Sequence, residues 1–165
     1  CSNTRNIIMN HYTEILSYIK QLADSDPLVN TVSQGEADKK LFDKVTMFPL
    51  VHIYVGGFTY GENYKSLVWE VIIGALKQRE NTNEQTSDNF YFNTNEVDNF
   101  NETSAIINRL VSRLAADLNK KKIKVITSGG SDKLDEMYGE DKDGYVVSLS
   151  IEVPNDTINL CQYPI

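Results

Sequence analysis

The chain is short of nearly every residue on which small-protein chemistry relies. Only two cysteines, Cys1 and Cys161, stand among 165 residues, near opposite ends. No Cys-x-x-Cys pair occurs and no Cys/His cluster has zinc-ligand spacing, so neither a thiol redox motif nor a structural zinc site is expected. No run of about 18 apolar residues exists, so no membrane span is expected. Positive charge is in deficit as well: 16 Lys and Arg against 23 Asp and Glu give a formal net charge of -7. Non-specific affinity for nucleic acid comes mainly from cations that neutralise phosphates, so a chain this acidic is a poor generic DNA binder. The one basic run, Lys120 to Lys122 with Lys124, is short and fits a solvated helix end, where cations favour the helix dipole.

Catalytic patterns are missing too. No GxSxG, HExxH, P-loop or GxGxxG stretch occurs. There are two histidines. His11 falls on a helix, and His52 falls inside an apolar strand, where a hydrogen-bonded structural role is the ordinary one. The acidic stretch Asp132, Asp135, Glu136, Glu140, Asp141, Asp143, Gly144 does not match a calcium loop: Gly139 stands where the leading Asp belongs, and Ser150 replaces the closing Glu. No residue qualifies as a catalytic, cofactor-binding or metal-ligating candidate, and the expectation is a non-enzyme without cofactor or metal.

What is present is a sound globular composition, 41% hydrophobic and 24% charged. A single chain of this length can bury a core without disulfide or metal staples. Helical periodicity begins directly after Met9. The expectation is therefore that residues 1–8 are an upstream segment and that residues 9–165 form one domain. Over residues 10–24, Tyr12, Ile15, Leu16, Ile19, Leu22 and Ala23 share one helix face, and Asp26-Pro27 stops the helix. A second helix is expected from Glu96 to Leu118, with Phe100, Thr103, Ile107, Leu110, Val111, Leu114 and Leu118 as its apolar stripe.

Between and after the helices, residues alternate. A short extended piece covers Leu28 to Val32. Phe48 to Val55 reads as a strand, with Pro49 at its start where a missing N–H is tolerated. Gly56-Gly57 and Gly61-Glu62-Asn63 supply turn chemistry, and a second strand runs from Tyr64 to about Leu76. Ile123 to Thr127 is a short strand broken by Ser128-Gly129-Gly130, and residues 131–144 read as a charged loop. The last strand is the clearest: Val147, Leu149, Ile151 and Val153 alternate with Ser148, Ser150 and Glu152. The order gives an α+β fold, a mainly antiparallel sheet with two helices packed on one face.

Several of these pieces, in sequence, resemble a family of small virion proteins of tailed bacteriophages, the tail-completion or tail-terminator (neck) proteins. They are the helix after Met9, then Asp26-Pro27-Leu28-Val29-Asn30-Thr31-Val32-Ser33-Gln34-Gly35, then Phe48-Pro49-Leu50-Val51-His52-Ile53. Phe92-Asn93-Thr94-Asn95-Glu96-Val97 follows, leading into Ile106-Ile107-Asn108-Arg109-Leu110. Ile151-Glu152-Val153-Pro154-Asn155-Asp156 closes near Cys161. The likeness spans about residues 9–161 and rests on order and spacing, since the motifs are structural. The loop from Lys133 to Gly144 departs from it, being charged where aromatics are expected.

The resemblance implies a ring-forming homo-oligomer, commonly a hexamer, at the head-proximal end of a tail. Such a subunit would sit in the virion after assembly in the host cytoplasm, with tail-tube and neck or connector proteins as partners. Neither specific nucleic-acid binding nor a membrane enters that reading. The Gly56–Asn63 turn and the 77–95 segment are the expected assembly surfaces. The alternative is a surface-anchored lipoprotein domain, in which Cys1 is the lipid-bearing residue.

Overall fold

The alternating segments form one five-stranded sheet in the computed structural model, which describes residues 11–36, 48–80, 94–120, 123–134 and 141–155. In chain order the elements are α1 (His11–Asp24), β1 (Thr31–Gln34), β2 (Leu50–Tyr60), β3 (Ser66–Gln78), α2 (Glu96–Lys120), β4 (Lys124–Lys133) and β5 (Lys142–Pro154). Across the sheet the strands run β1-β2-β3-β5-β4. Only the β1–β2 pair is parallel; the other three pairs are antiparallel. The fold is α+β, as the order of periodicities implies.

The period of two decides which side each strand residue occupies. Val51, Ile53 and Val55 of β2, Leu67, Trp69, Val71, Ile73 and Ala75 of β3, and Val147, Leu149, Ile151 and Val153 of β5 all join one buried cluster. Both helices close that same cluster, α1 with Ile19, Leu22 and Ala23, α2 with Ile106, Ile107, Leu110, Leu114 and Leu118. The opposite face carries only a small cluster at one end, Leu50 and Leu76 with Phe48, Leu134 and Val146 packed against them. One face is thus covered by helices, and among the described residues no helix or second sheet covers the other, the one-sided burial typical of antiparallel sheets.

The β3–β5 ladder is the backbone of the domain. It runs unbroken for 13 pairs, from Ser66 opposite Pro154 to Gln78 opposite Lys142. Gly144 lets the two strands meet: a Cβ there would lie 1.9 Å from the Ala75 carbonyl oxygen.

Four boundaries differ from the sequence reading, and each has a local cause. Gly56-Gly57 does not turn the chain. β2 runs on to Tyr60, with a shift of register between Val55 and Phe58, so the two glycines form a bulge inside a strand. The turn is the tighter stretch after Gly61, where Glu62–Tyr64 makes one 3-10 turn and the amide of Gly61 donates to the Ser66 carbonyl. Ser128-Gly129-Gly130 likewise interrupts register without ending β4, which resumes at Ser131 opposite Val147 and continues to Lys133. Gly130 takes a left-handed φ of 112°, the conformation that glycine supplies at a bulge. β5 begins at Lys142, so part of the expected 131–144 loop is strand; residues 135–140 of it lie outside the described residues. β1 is Thr31–Gln34, later than the extended piece placed at Leu28 to Val32, because Asp26 holds the Leu28 amide in a turn after α1.

The close approach at Gly144 makes a direct test. Gly144→Ala must push β3 and β5 apart and should cost about 1–3 kcal/mol, the usual range for overpacking. Gly57→Ala has nothing within 4 Å of the added carbon and should stay within about 0.5 kcal/mol of the parent, as ordinary surface changes do. Urea melts of the two variants, read against the parent, measure the difference.

Candidate functional site

Three polar clusters are built into the described residues, and each fastens elements together. Asp26, buried just beyond α1, accepts both Arg109 Nε (2.8 Å) and Arg109 Nη2 (2.9 Å) from α2, and the Leu28 amide as well. Burial alone would raise this carboxyl. The Arg109 and Leu28 hydrogen bonds, with the charges of Arg109 and Arg113, outweigh burial and hold it below the usual carboxylate range. Arg113 Nη1 adds a bond to the Ser25 hydroxyl, so one turn of α2 grips the end of α1.

The second cluster sits where β3 leaves the sheet. Arg79 pairs with the fully buried carboxylate of Asp143 and with Glu96. Asn99 Nδ2 donates to Asp143 Oδ2 and to the Gln78 carbonyl, each at 3.0 Å, and Asn95 ties its side-chain oxygen to the Glu80 amide. Lys77 reaches Glu102 alongside. These contacts anchor the first turns of α2 to β3 and β5.

The third is His52 with Ser33. Nε2 lies 2.9 Å from the Gly35 carbonyl, which can only accept, so Nε2 carries the proton and Nδ1 accepts from the Ser33 hydroxyl at 2.8 Å. The ring is buried on the open face of the sheet. Burial lowers its pKa, and the Gly35 bond offsets part of that. A serine, a histidine and an acceptor in line have the outline of an activated nucleophile. Here the orienting group is a backbone carbonyl, and neither described cavity is lined by Ser33 or His52.

The other residues weighed from sequence do not converge. His11 opens α1. Asp132 belongs to β4 and Asp143 to β5, and no group of three or more His, Cys, Asp or Glu among the described residues could hold a metal ion. No described helix is long and apolar enough to cross a membrane. Lys120 ends α2 and Lys124 begins β4, beside Glu152 at 3.9 Å. Cys1, Cys161 and residues 81–93 of the expected 77–95 assembly surface lie outside the described residues.

Two surface features remain that core packing does not use. The first is the hairpin end of the sheet. Phe58 stacks at 4.7 Å on Trp69, Tyr12 meets the same indole at 6.0 Å, and Tyr60 lies between Phe58 and Tyr64 at 5.8 and 5.3 Å. Tyr60 is 60% and Tyr64 72% exposed. Asn63 and Tyr64 both have left-handed φ, 55° and 59°; such a conformation costs a tyrosine about 1 kcal/mol or more. The indole N–H of Trp69 is buried and has no hydrogen-bond partner among the described residues.

The second feature is the pair of sheet edges. β1 pairs with β2 only as far as Gln34 opposite Ile53, so no described strand pairs with the outer edge of Tyr54–Tyr60. At the other side β4 is an edge strand throughout, with Ile126 52% exposed. Backbone N–H and C=O groups on such edges are templates for another strand. No family model and no curated protein matches the chain. The edges and the aromatic hairpin end therefore carry the functional reading on their own geometry. Sequence reasoning implied free strand edges in a two-helix, one-sheet domain but not which strands hold them, because pairing partners are not encoded in any one strand; the signal for the aromatic end was the run Phe58, Tyr60, Tyr64.

The depressed pKa of His52 fixes the sign of a pH effect. The unfolded chain takes up a proton on this group before the folded chain does. Stability from this site is therefore complete above about pH 6.5, the ordinary imidazole value. It declines as pH falls below that, until the folded imidazole is protonated too. Urea midpoints measured from pH 8 to pH 5 should drop at the acid end, and His52→Gln should remove that component of the slope.

Proposed function

We propose that this chain is a structural subunit that assembles into a ring within a phage virion, where it completes or terminates the tail and joins it to the neck. Two things support the reading. One is the resemblance of residues 9–161 to tail-completion and tail-terminator proteins. The other, which carries it, is the pair of sheet edges left open among the described residues, at opposite sides of the sheet.

A domain with one open edge can pair once and stop. A domain with two different open edges can pair at both sides, and head-to-tail contacts of this kind close into rings when the rotation allows. The one-sided helix layer suits a ring as well. Helices take up more room than a sheet face without them, so they belong at the larger radius, and the face with exposed Glu70 and Ser148 then turns toward the axis. The role is one of scaffold and contact surface. Its partners are further copies of itself together with tail-tube and neck proteins.

The -7 net charge adds a condition. Like-charged subunits repel at low ionic strength, so assembly should strengthen as salt screens them. Light scattering across a concentration series, at low and at physiological salt, reads the mass directly. The expected result is a discrete ring-sized species whose share grows with concentration and with salt. A monomer at every concentration up to the solubility limit overturns the proposal.

A further inference from the structure

We infer that two copies of this chain join by continuing the sheet: the free half of β2, Tyr54–Tyr60, pairs antiparallel with β4 of the next copy. This deepens the ring reading above and rests on it.

Strand sense comes first. β2 and β5 both run antiparallel to β3, and β4 runs antiparallel to β5, so β4 is antiparallel to β2 within one copy. Rotation about an axis lying along the strands leaves that sense unchanged. The outer edge of β2 in one copy then meets the outer edge of β4 in the next as an antiparallel pair, the more stable of the two arrangements.

Height agrees as well. Across the sheet Thr59 is level with Val68, Glu152 and Lys124, and Phe58 is level with Trp69, Ile151 and Val125. The part of β2 that β1 leaves bare is therefore at the same end of the sheet as the first half of β4. Had the free half of β2 been the Leu50 end, the two edges would have met out of step. Faces also match: Phe58 shares the helix-covered side with Val125, and Thr59 shares the open side with Lys124. Joining the edges without stagger keeps Phe58 and Val125 on one side and Thr59 and Lys124 on the other, as far as the bulge at Gly56-Gly57.

Curvature and charge point the same way. Each edge carries a register shift, between Val55 and Phe58 in β2 and between Thr127 and Ser131 in β4. Bulges raise local twist and bend a strand, which closure of a sheet into a ring requires. The β2 end leads into exposed Glu62, and the β4 end carries Lys124, whose side chain is 73% exposed, beside exposed Lys120. An antiparallel junction brings those acidic and basic corners together. It also places the exposed Phe58 beside Val125 on the helix-covered side and Thr59 beside Lys124 on the open side.

A second copy is the occupant because one chain presents both edges, matched in sense, height, face and charge. Pairing through them covers the free half of β2 and the first half of β4; Ser131–Lys133 is level with Ile53–Val51, where β1 already lies, so the second half of β4 turns away at its bulge.

Disulfide trapping tests this. In a Cys1→Ser, Cys161→Ser background, Thr59→Cys is combined with Lys124→Cys, or in a second variant with Ile126→Cys. All three positions are exposed on the open side of the sheet. Mild oxidation should give a ladder of covalent oligomers ending at the ring in at least one combination, and no ladder with Thr59→Cys alone. Thr59→Lys, which sets a lysine against Lys124, should raise the concentration at which the ring forms by about tenfold, a like-charge cost of roughly 1.4 kcal/mol, with an unchanged circular dichroism spectrum. If a ring is seen by light scattering but neither combination cross-links and Thr59→Lys assembles normally, the edge pairing is wrong and the ring forms through another surface. If every variant and the parent remain monomeric, the ring reading fails and the interface with it.

Discussion

Everything in this domain hangs on the 13-pair ladder between β3 and β5. It is the centre of the sheet, it lines up the largest share of the buried residues, and both helices pack over it or its neighbours. It also joins two strands 64 or more positions apart in the chain, from Gln78 and Lys142 outward, with α2 and β4 threaded between them. Closing so long a loop costs entropy before any contact repays it. The polar cluster of Arg79, Asp143 and Asn99 sits at the point where that loop leaves β3 and returns to β5. A buried carboxylate is costly unless it is paired. Asp143 is fully buried and paired, so it favours one way of bringing the loop back.

From that ladder the places where another strand could pair follow by elimination of room. Helices cover one face. β1 covers only the Leu50 end of β2. β4 closes the other side but has nothing beyond it among the described residues. Natural sheets usually protect long edges with prolines, charges or bulges. Both edges here carry bulges, and β4 carries lysines at its start, yet Phe58, Tyr60 and Ile126 remain exposed along them. Exposed aromatics and aliphatics along these edges are what the proposed pairing between copies would cover.

The sequence spelled out much of the fold. Both helices and the last strand were legible because their periods are strong: Ile19, Leu22 and Ala23 repeat at helical spacing, and Val147 to Val153 alternates without a fault. Boundaries failed wherever glycine stood. Gly56-Gly57 and Gly129-Gly130 read as turns since the same residue types serve turns and bulges, and only the cross-strand partner tells them apart. Asn99 and Ile106 were not placed in the apolar stripe of α2, yet both are buried. Asn99 is polar and belongs inside only because Asp143 comes from far along the chain to meet it. No catalytic or metal site was legible. The clusters of Asp26, Asp143 and His52 each satisfy a buried polar group in a way that single-strand patterns do not reveal. The open edges are a property of sheet order, and order is set by all five strands together.

Amide hydrogen exchange as a function of protein concentration tests the central claim most directly. The account predicts that the amides of β3 from Ser66 to Gln78 are protected at every concentration. Those of Tyr54–Tyr60 and of β4 should exchange fast in dilute solution and become protected together as the ring forms. Assembly without any gain of protection along those two edges would contradict it.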